Sequence, residues 1–219
     1  MVGSTIRAMP EQPRAAFSVA RFLRNALAVA LIVAGGVLAY REWVRPNLFP
    51  KNFGIVTEGV LYRAGKLTPA ATEKVVREHG IRTIVDLGAF EPGTRGERLA
   101  QRTADALGVV RVRLDLEGDA TGNPNYYAQA LRIMTDPERQ PVLVQCGAGS
   151  ERTGCAIAMY RHLVEGVPMD DAYAETLRYK HNPRRNPRLR EVFDAWTEPV
   201  GRALREGGQV PGAKPLTLR

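Results

Sequence analysis

The uncharged apolar run from Ala26 to Tyr40 (ALAVALIVAGGVLAY) stands apart from the rest of the chain, where apolar residues come in short runs broken by glycine, proline and charge. The run is shorter than the ~20 residues that span a bilayer comfortably. Phe22, Leu23, Trp43 and Val44 lengthen it if Arg24 and Arg41 reach the interface. The pattern predicts a transmembrane anchor over residues 25–44. A cleaved signal segment is the rival, because Val37-Leu38-Ala39 has the small-residue form of a cleavage site. A buried helix is the third reading. The preceding residues 1–24 form a basic segment with Arg7, Arg14, Arg21 and Arg24, and residues 45–52, with Pro46 and Pro50, read as a linker. The modest basic excess before the run puts the N-terminus in the cytoplasm and the following domain outside it, in a periplasmic space. A clipped, soluble periplasmic domain and a cytoplasm-facing domain are the alternatives.

Residues 53–206 alternate strand-like and helix-like patterns. Val60 to Arg63 reads as a strand, and Thr68-Pro69 as a cap followed by proline at the first helical position, opening a helix that Gly80 ends. Ile81 to Leu87 is a short apolar run, a buried strand. A helix from Gly96 to Leu107 and a strand from Val109 to Leu114 follow, then a helix opened by Asn123-Pro124 and a strand from Val142 to Gln145. Three more helices are expected near residues 153–165, 170–180 and 187–205, with a flexible tail over 207–219. Such alternation predicts an α/β fold: a central, parallel-rich sheet of about four to five strands flanked by helices. Ligands of open sheets of this kind bind at the carboxyl ends of strands.

Composition adds limits. The 219 residues are 44% hydrophobic and 25% charged, enough for one domain with an appendage, and carry a net charge of +8. Much of the arginine lies in the N-terminal segment and in Arg184–Arg190, without interleaved aromatics, so no nucleic-acid partner is expected. Two cysteines, Cys146 and Cys155, make neither a disulfide scaffold nor a metal cluster. No metal or other cofactor is predicted. Cys155 lies in an apolar helical run and reads as a small core residue.

The stretch from Val142 to Gly154 (VLVQCGAGSERTG) reads as strand, tight loop and helix start. Gly147, Ala148, Gly149, Ser150 and Glu151 can turn backbone N–H groups inward as an anion nest at a helix N-terminus. Arg152 offers a planar fork for two phosphate oxygens, and Cys146 sits where a nucleophile belongs. Thiols at helix N-termini and beside cations are more acidic than free thiols, so a thiolate is expected.

This loop resembles the Cys-x5-Arg-Ser/Thr signature of the cysteine-dependent protein tyrosine and dual-specificity phosphatases. Leu61-Tyr62-Arg63-Ala64-Gly65, Gly80 to Leu87, Ala174-Glu175 and His181-Asn182-Pro183 extend the resemblance to bacterial periplasmic members, over residues 53–192. The resemblance implies that Cys146 attacks phosphorus, that a phosphocysteine forms and is hydrolysed, that Arg152 and the loop amides hold the equatorial oxygens, and that Thr153 stabilises the departing thiolate. It also implies a general acid in the loop after the third strand. Asp119 is the choice there, with Asp115 and Glu117 as alternatives. Gln145 departs from the histidine that many members carry before the cysteine. Arg63 is expected to brace the sheet or loop, and His181 to be a packing residue.

The predicted substrate is a phosphate monoester, a phosphorylated protein or small molecule. Phosphotyrosine is favoured because the loop lacks lysines and Glu151 should repel a second phosphate. The alternatives are an inositol phosphate phosphatase and a membrane-tethered domain that binds phosphate with weak or no catalysis.

Overall fold

The side chains of consecutive strand residues point to opposite faces, and here both faces are apolar because helices cover both. The computed structural model describes residues 19–216; the basic segment ahead of Val19 and the last three residues lie outside the described residues. Five strands, β1 (Gly54–Thr57), β2 (Leu61–Gly65), β3 (Thr83–Asp86), β4 (Val110–Arg113) and β5 (Val142–Cys146), form one sheet in the order β1-β2-β5-β3-β4. β5 is central, with parallel β2 and β3 on either side, and β4 is parallel to β3. The edge strand β1 pairs antiparallel with β2 through an irregular register. The sequence pattern did not mark β1, which is four residues long and contributes one buried side chain, Val56.

The helices are α3 (Pro69–His79), α4 (Arg95–Ala106), α5 (Asn125–Thr135), α6 (Glu151–Leu163), α7 (Met169–Arg178) and α8 (Arg188–Glu206). Leu61, Val142, Val144 and Cys146 pack in one core with Leu131 of α5, Ile157 of α6 and Phe193 of α8. The opposite face, with Tyr62, Ala64, Ile84 and Leu143, packs against Ala71, Val75 and Val76 of α3. Local end signals operate as expected at α3. Thr68 Oγ1 accepts from Ala71 N at 3.2 Å, and Gly80 closes the helix at φ +62°. At α5 the helix begins two residues after Asn123, whose Oδ1 accepts from Asn125 N at 3.0 Å.

Contacts divide the chain into two units, one ending at Glu42 and one beginning at Trp43. Along the chain, the helix α1 (Val19–Ala39) continues into a π-helical turn over Tyr40–Val44 and then α2 (Arg45–Leu48), which belongs to the second unit. Phe22–Leu48 is a single helix long and apolar enough to cross a membrane, near the N-terminus. Residues 45–48, read from sequence as linker, are thus helical. Pro46 sits in the first turn of α2, where a missing N–H costs nothing.

The segment after α8 is also more ordered than a loose tail. Val210 is buried, and its N–H donates to Asn125 Oδ1 at 2.6 Å. Lys214 O accepts from Asn123 Nδ2 at 2.8 Å and from Asn125 Nδ2 at 3.1 Å. One apolar anchor and two side-chain amides therefore dock residues 207–216 onto α5.

Candidate active site

Cys146 ends β5 and belongs to the same pleat face as Val142 and Val144, which directs it toward α6. The next residues, Gly147 to Ser150, form the loop that opens α6. Gly149 adopts φ +75°, and its N–H donates to Cys146 Sγ at 3.2 Å. The loop carbonyls are held from outside. Lys51 Nζ donates to Gly147 O at 2.8 Å, Asn52 Nδ2 to Ala148 O at 3.3 Å and Gly149 O at 2.9 Å, and Arg63 Nη2 to Gly149 O at 2.9 Å. Carbonyls tied outward leave amides for an anion at the N-terminal end of α6, where the helix dipole adds positive charge.

Arg152, in the first turn of α6, reaches the opposite wall. Its Nη1 donates to Gly88 O and to Leu116 O, while its Nε is buried without a hydrogen-bond partner. Thr153 Oγ1 is likewise buried and unpartnered. Buried polar groups are normally satisfied, so this guanidinium nitrogen and this hydroxyl in the first turn of α6 are donors not committed to other protein groups. The wall at Gly88 is fixed by Asp86 at the end of β3. Asp86 Oδ1 accepts from Ala89 N at 2.6 Å, and Oδ2 takes Arg111 Nη2 at 2.7 Å in a buried ion pair.

A cavity of about 490 Å³ lies over this arrangement, lined by Gly147 and Arg152 from the loop, Gly88 to Pro92, and the segment Asp115 to Gly118 with Arg113. Of the three acid candidates, Asp115 and Glu117 line the cavity and Asp119 does not, although its neighbour Gly118 does. Asp115 is paired with Arg113 at 2.7 Å. Asp119 Oδ1 accepts from Thr121 Oγ1 at 2.6 Å and Thr121 N at 3.0 Å, and these bonds hold its carboxyl below the usual range. The loop is pinned one residue later, where the buried Tyr127 hydroxyl donates to Ala120 O at 2.7 Å.

Glu151 differs from the expectation. Its Oε2 lies 2.7 Å from Nδ1 of the buried His181, whose Nε2 meets Tyr173 Oη at 2.9 Å. The carboxylate is thus turned onto the α7 side and engaged by His181. Gln145 is buried on β5. Cys155 lies in the core, where burial pushes its thiol up to about 12, and both cysteines are free.

Arg63 braces the loop, as expected, through Gly149 O. It is fully buried, its Nε and Nη1 have no hydrogen-bond partner, and its guanidinium stacks 3.6 Å over the Tyr179 ring. Burial pushes its pKa down to about 10, still protonated at neutral pH. A buried, half-satisfied cation is costly for folding, and its register partner Val144 lies two residues before Cys146. The expected result for Arg63→Met is a Tm unchanged or raised, with kcat for an aryl phosphate lowered by roughly tenfold to a hundredfold, in line with losing an electrostatic donor. Parallel thermal melts and steady-state kinetics check it; a variant with full activity contradicts it.

Lys51 and Asn52 carried no sequence signal. The loop carbonyls they hold lie 96 and 97 residues downstream, and nothing local distinguishes them from linker residues.

The profile of the family described as DSP-PTPase phosphatase fused to NAD+ kinase matches residues 51–190. Among solved structures, the core catalytic domain of the PP-IP phosphatase SIW14 from S. cerevisiae, bound to citrate, aligns with TM-score 0.60 at 20% identity, covering 74% of this chain and 96% of that one. TpbA from P. aeruginosa aligns with TM-score 0.57 at 21% identity, covering 71% and 91%. PTPMT1 in complex with PI(5)P aligns with TM-score 0.54 at 16% identity, covering 68% and 96%. At these identities the likeness establishes a shared fold, and it singles out no one of them.

Proposed function

We propose, for a chain that belongs to the DSP-PTPase phosphatase family and is thereby a cysteine-dependent phosphatase, that it hydrolyses phosphate monoesters of the inositol phosphate class through a phosphocysteine on Cys146. The observation that carries the chemistry is the loop itself: Gly149 N on Cys146 Sγ, carbonyls tied outward, and Arg152 Nε uncommitted. Cys146 Sγ attacks phosphorus in line. The loop amides and Arg152 hold the equatorial oxygens, whose charge grows in the transition state. Water then attacks phosphorus as the Asp119 carboxylate takes its proton, the P–S bond breaks, and the thiolate leaves toward Thr153 Oγ1.

Asp119 is the proposed proton donor to the leaving oxygen. Its Oδ2 makes no hydrogen bond among the described residues, and Gly118 beside it lines the cavity. A bound phosphate dianion disfavours a neighbouring carboxylate, so substrate binding raises the proton affinity of a group held low in the free protein. Asp119→Asn should therefore lower kcat for an alkyl phosphate by about 10² to 10⁴, and much less for an aryl phosphate with a good leaving group. The wild type should lose kcat on alkyl esters as pH rises through the carboxylate range, because kcat reports the substrate complex, and the variant should lack that limb. If Asp115→Asn or Glu117→Gln has this leaving-group signature instead, the assignment moves to that residue.

Four observations support the substrate class. Glu151 is engaged by His181, the exposed cations Lys51 and Lys66 stand at the loop, and Arg113 lines the cavity. Of the fold neighbours, SIW14 is a PP-IP phosphatase and PTPMT1 is seen in complex with PI(5)P. Phosphotyrosine is the second reading, favoured by the acids Glu91, Asp115 and Glu117 on the cavity wall and by a TpbA structure in complex with pTyr. Competitive kinetics between an inositol phosphate and a phosphotyrosine peptide decide between them. Binding of either without turnover would favour a phosphate-binding domain. We infer that the domain lies outside the cytoplasm on a single-pass anchor, which protease accessibility in intact cells against spheroplasts tests.

A further inference from the structure

The connection from the end of α7 to the start of α8 carries charge of one sign. Residues 178–188 contain Arg178, Lys180, Arg184, Arg185 and Arg188 and no acid, and all five are exposed. Arg188 pairs with Glu191 at 2.7 Å. The other four make no ion pair or side-chain hydrogen bond among the described residues. Leu177, just before them, is 48% exposed. The segment is stiff: Asn182 Oδ1 accepts from Arg184 N at 3.1 Å and Arg185 N at 3.3 Å, and Asn186 Oδ1 from Arg188 N at 3.2 Å.

This basic segment packs against the phosphate loop, and none of its residues lines the cavity itself. His181 within it holds Glu151 of the phosphate loop, and Tyr179 O accepts from the loop-supporting Asn52 at 2.9 Å. Among the described residues one helix is long and apolar enough to cross a membrane, ending at Leu48, and the first strand of the domain begins at Gly54. Even fully extended, that connection reaches at most roughly 20 Å. A domain so tethered stays near the headgroups, where each Lys or Arg strengthens attraction to anionic lipid by about 1 kcal/mol, roughly fivefold.

We propose that residues 177–188 are a second membrane contact, docking on anionic lipid headgroups so that the adjoining cavity meets a phosphate monoester carried on lipid. The lipid-borne substrate rests on the phosphatase reading above; the docking does not. The tether favours a lipid surface over an acidic peptide, because it keeps the domain within reach of one.

The test uses the full chain in nanodiscs of phosphatidylcholine, alone or mixed with phosphatidylglycerol, and the double variant Arg184→Glu with Arg185→Glu, neither residue belonging to the catalytic machinery. Hydrogen exchange of amides 177–188 should slow by about tenfold in the anionic discs, and the double variant should lose this protection. Turnover of a phosphatidylinositol monophosphate in the anionic discs should fall by a similar factor in the variant, with soluble aryl phosphate turnover unchanged. Equal exchange in both disc types overturns the docking. So does protection that appears only on adding an acidic phosphopeptide. An equal loss on soluble and lipid-borne substrate overturns it as well, since the substitutions would then act on the cavity. Failure of the phosphatase reading is seen separately, as aryl phosphate turnover equal in the wild type and Cys146→Ser, and leaves hydrogen exchange to decide the docking.

Discussion

Cys146→Ser lowers turnover of an aryl phosphate by at least about 10⁴-fold, the scale on which loss of a nucleophile acts, while the protein stays folded and binds inorganic phosphate. The side chain is buried at the end of the central strand and differs from serine by one atom, so packing against α6 survives. What disappears is the acidity and nucleophilicity of sulfur: a serine hydroxyl in the same place stays protonated and no base is positioned to take its proton. The anion site does not depend on sulfur, because the loop amides and Arg152 supply its donors and Lys51, Asn52 and Arg63 hold the loop's carbonyls. Steady-state kinetics together with calorimetric titration of phosphate separate the two. Loss of both binding and turnover would show that the substitution had disrupted the loop.

Gly149→Ala is expected to be the most damaging small change. At φ +75° an alanine is strained by roughly 1 to 3 kcal/mol. Its Cβ would also stand 2.5 Å from Gly65 N and 2.7 Å from Ala64 C, backbone atoms of the β2 end that no rotamer can move aside. Forcing that contact adds roughly 1 to 3 kcal/mol. Together these predict a Tm lower by roughly 10 °C for a domain of this size, and activity near that of Cys146→Ser even in the fraction that folds, since Gly149 N can no longer meet Sγ. A thermal melt and a turnover assay check both halves. Wild-type activity in Gly149→Ala would mean that the loop does not need its left-handed residue.

The parts of this architecture that sequence made legible are those whose partners lie close along the chain. Thr68 caps its own helix three residues on, and Gly80 ends that helix by its own conformation. The central strand and the loop after it share one contiguous stretch, so Cys146, Gly149 and Arg152 could be placed together before any coordinates. Strand β1 was not legible because its four residues bury one side chain and take their order from β2. The support of the phosphate loop was hidden for a similar reason. Lys51 and Asn52 sit in a segment of linker-like composition, and only folding brings them against carbonyls almost a hundred residues away.

Glu151 shows the other limit. Its type and position suggested repulsion at the substrate, but its direction depends on His181, which the turn after α7 delivers. The same dependence on distant groups applied to Asp119, whose local partner Thr121 fixes one oxygen while the cavity forms around its neighbours. At the C-terminus, polar composition suggested a loose end, yet Val210 and the two asparagines that open α5 tie it down.

The central claim is that phosphate passes through sulfur at Cys146. The direct measurement is a denaturing quench of the wild-type protein during turnover of an aryl phosphate, followed by mass spectrometry of the peptide containing residue 146. The account predicts one phosphoryl group on Cys146, present during turnover and absent after substrate is exhausted, with none on Cys155. Sustained turnover with no phosphoryl group trapped on Cys146, or equal turnover by Cys146→Ser, would contradict it.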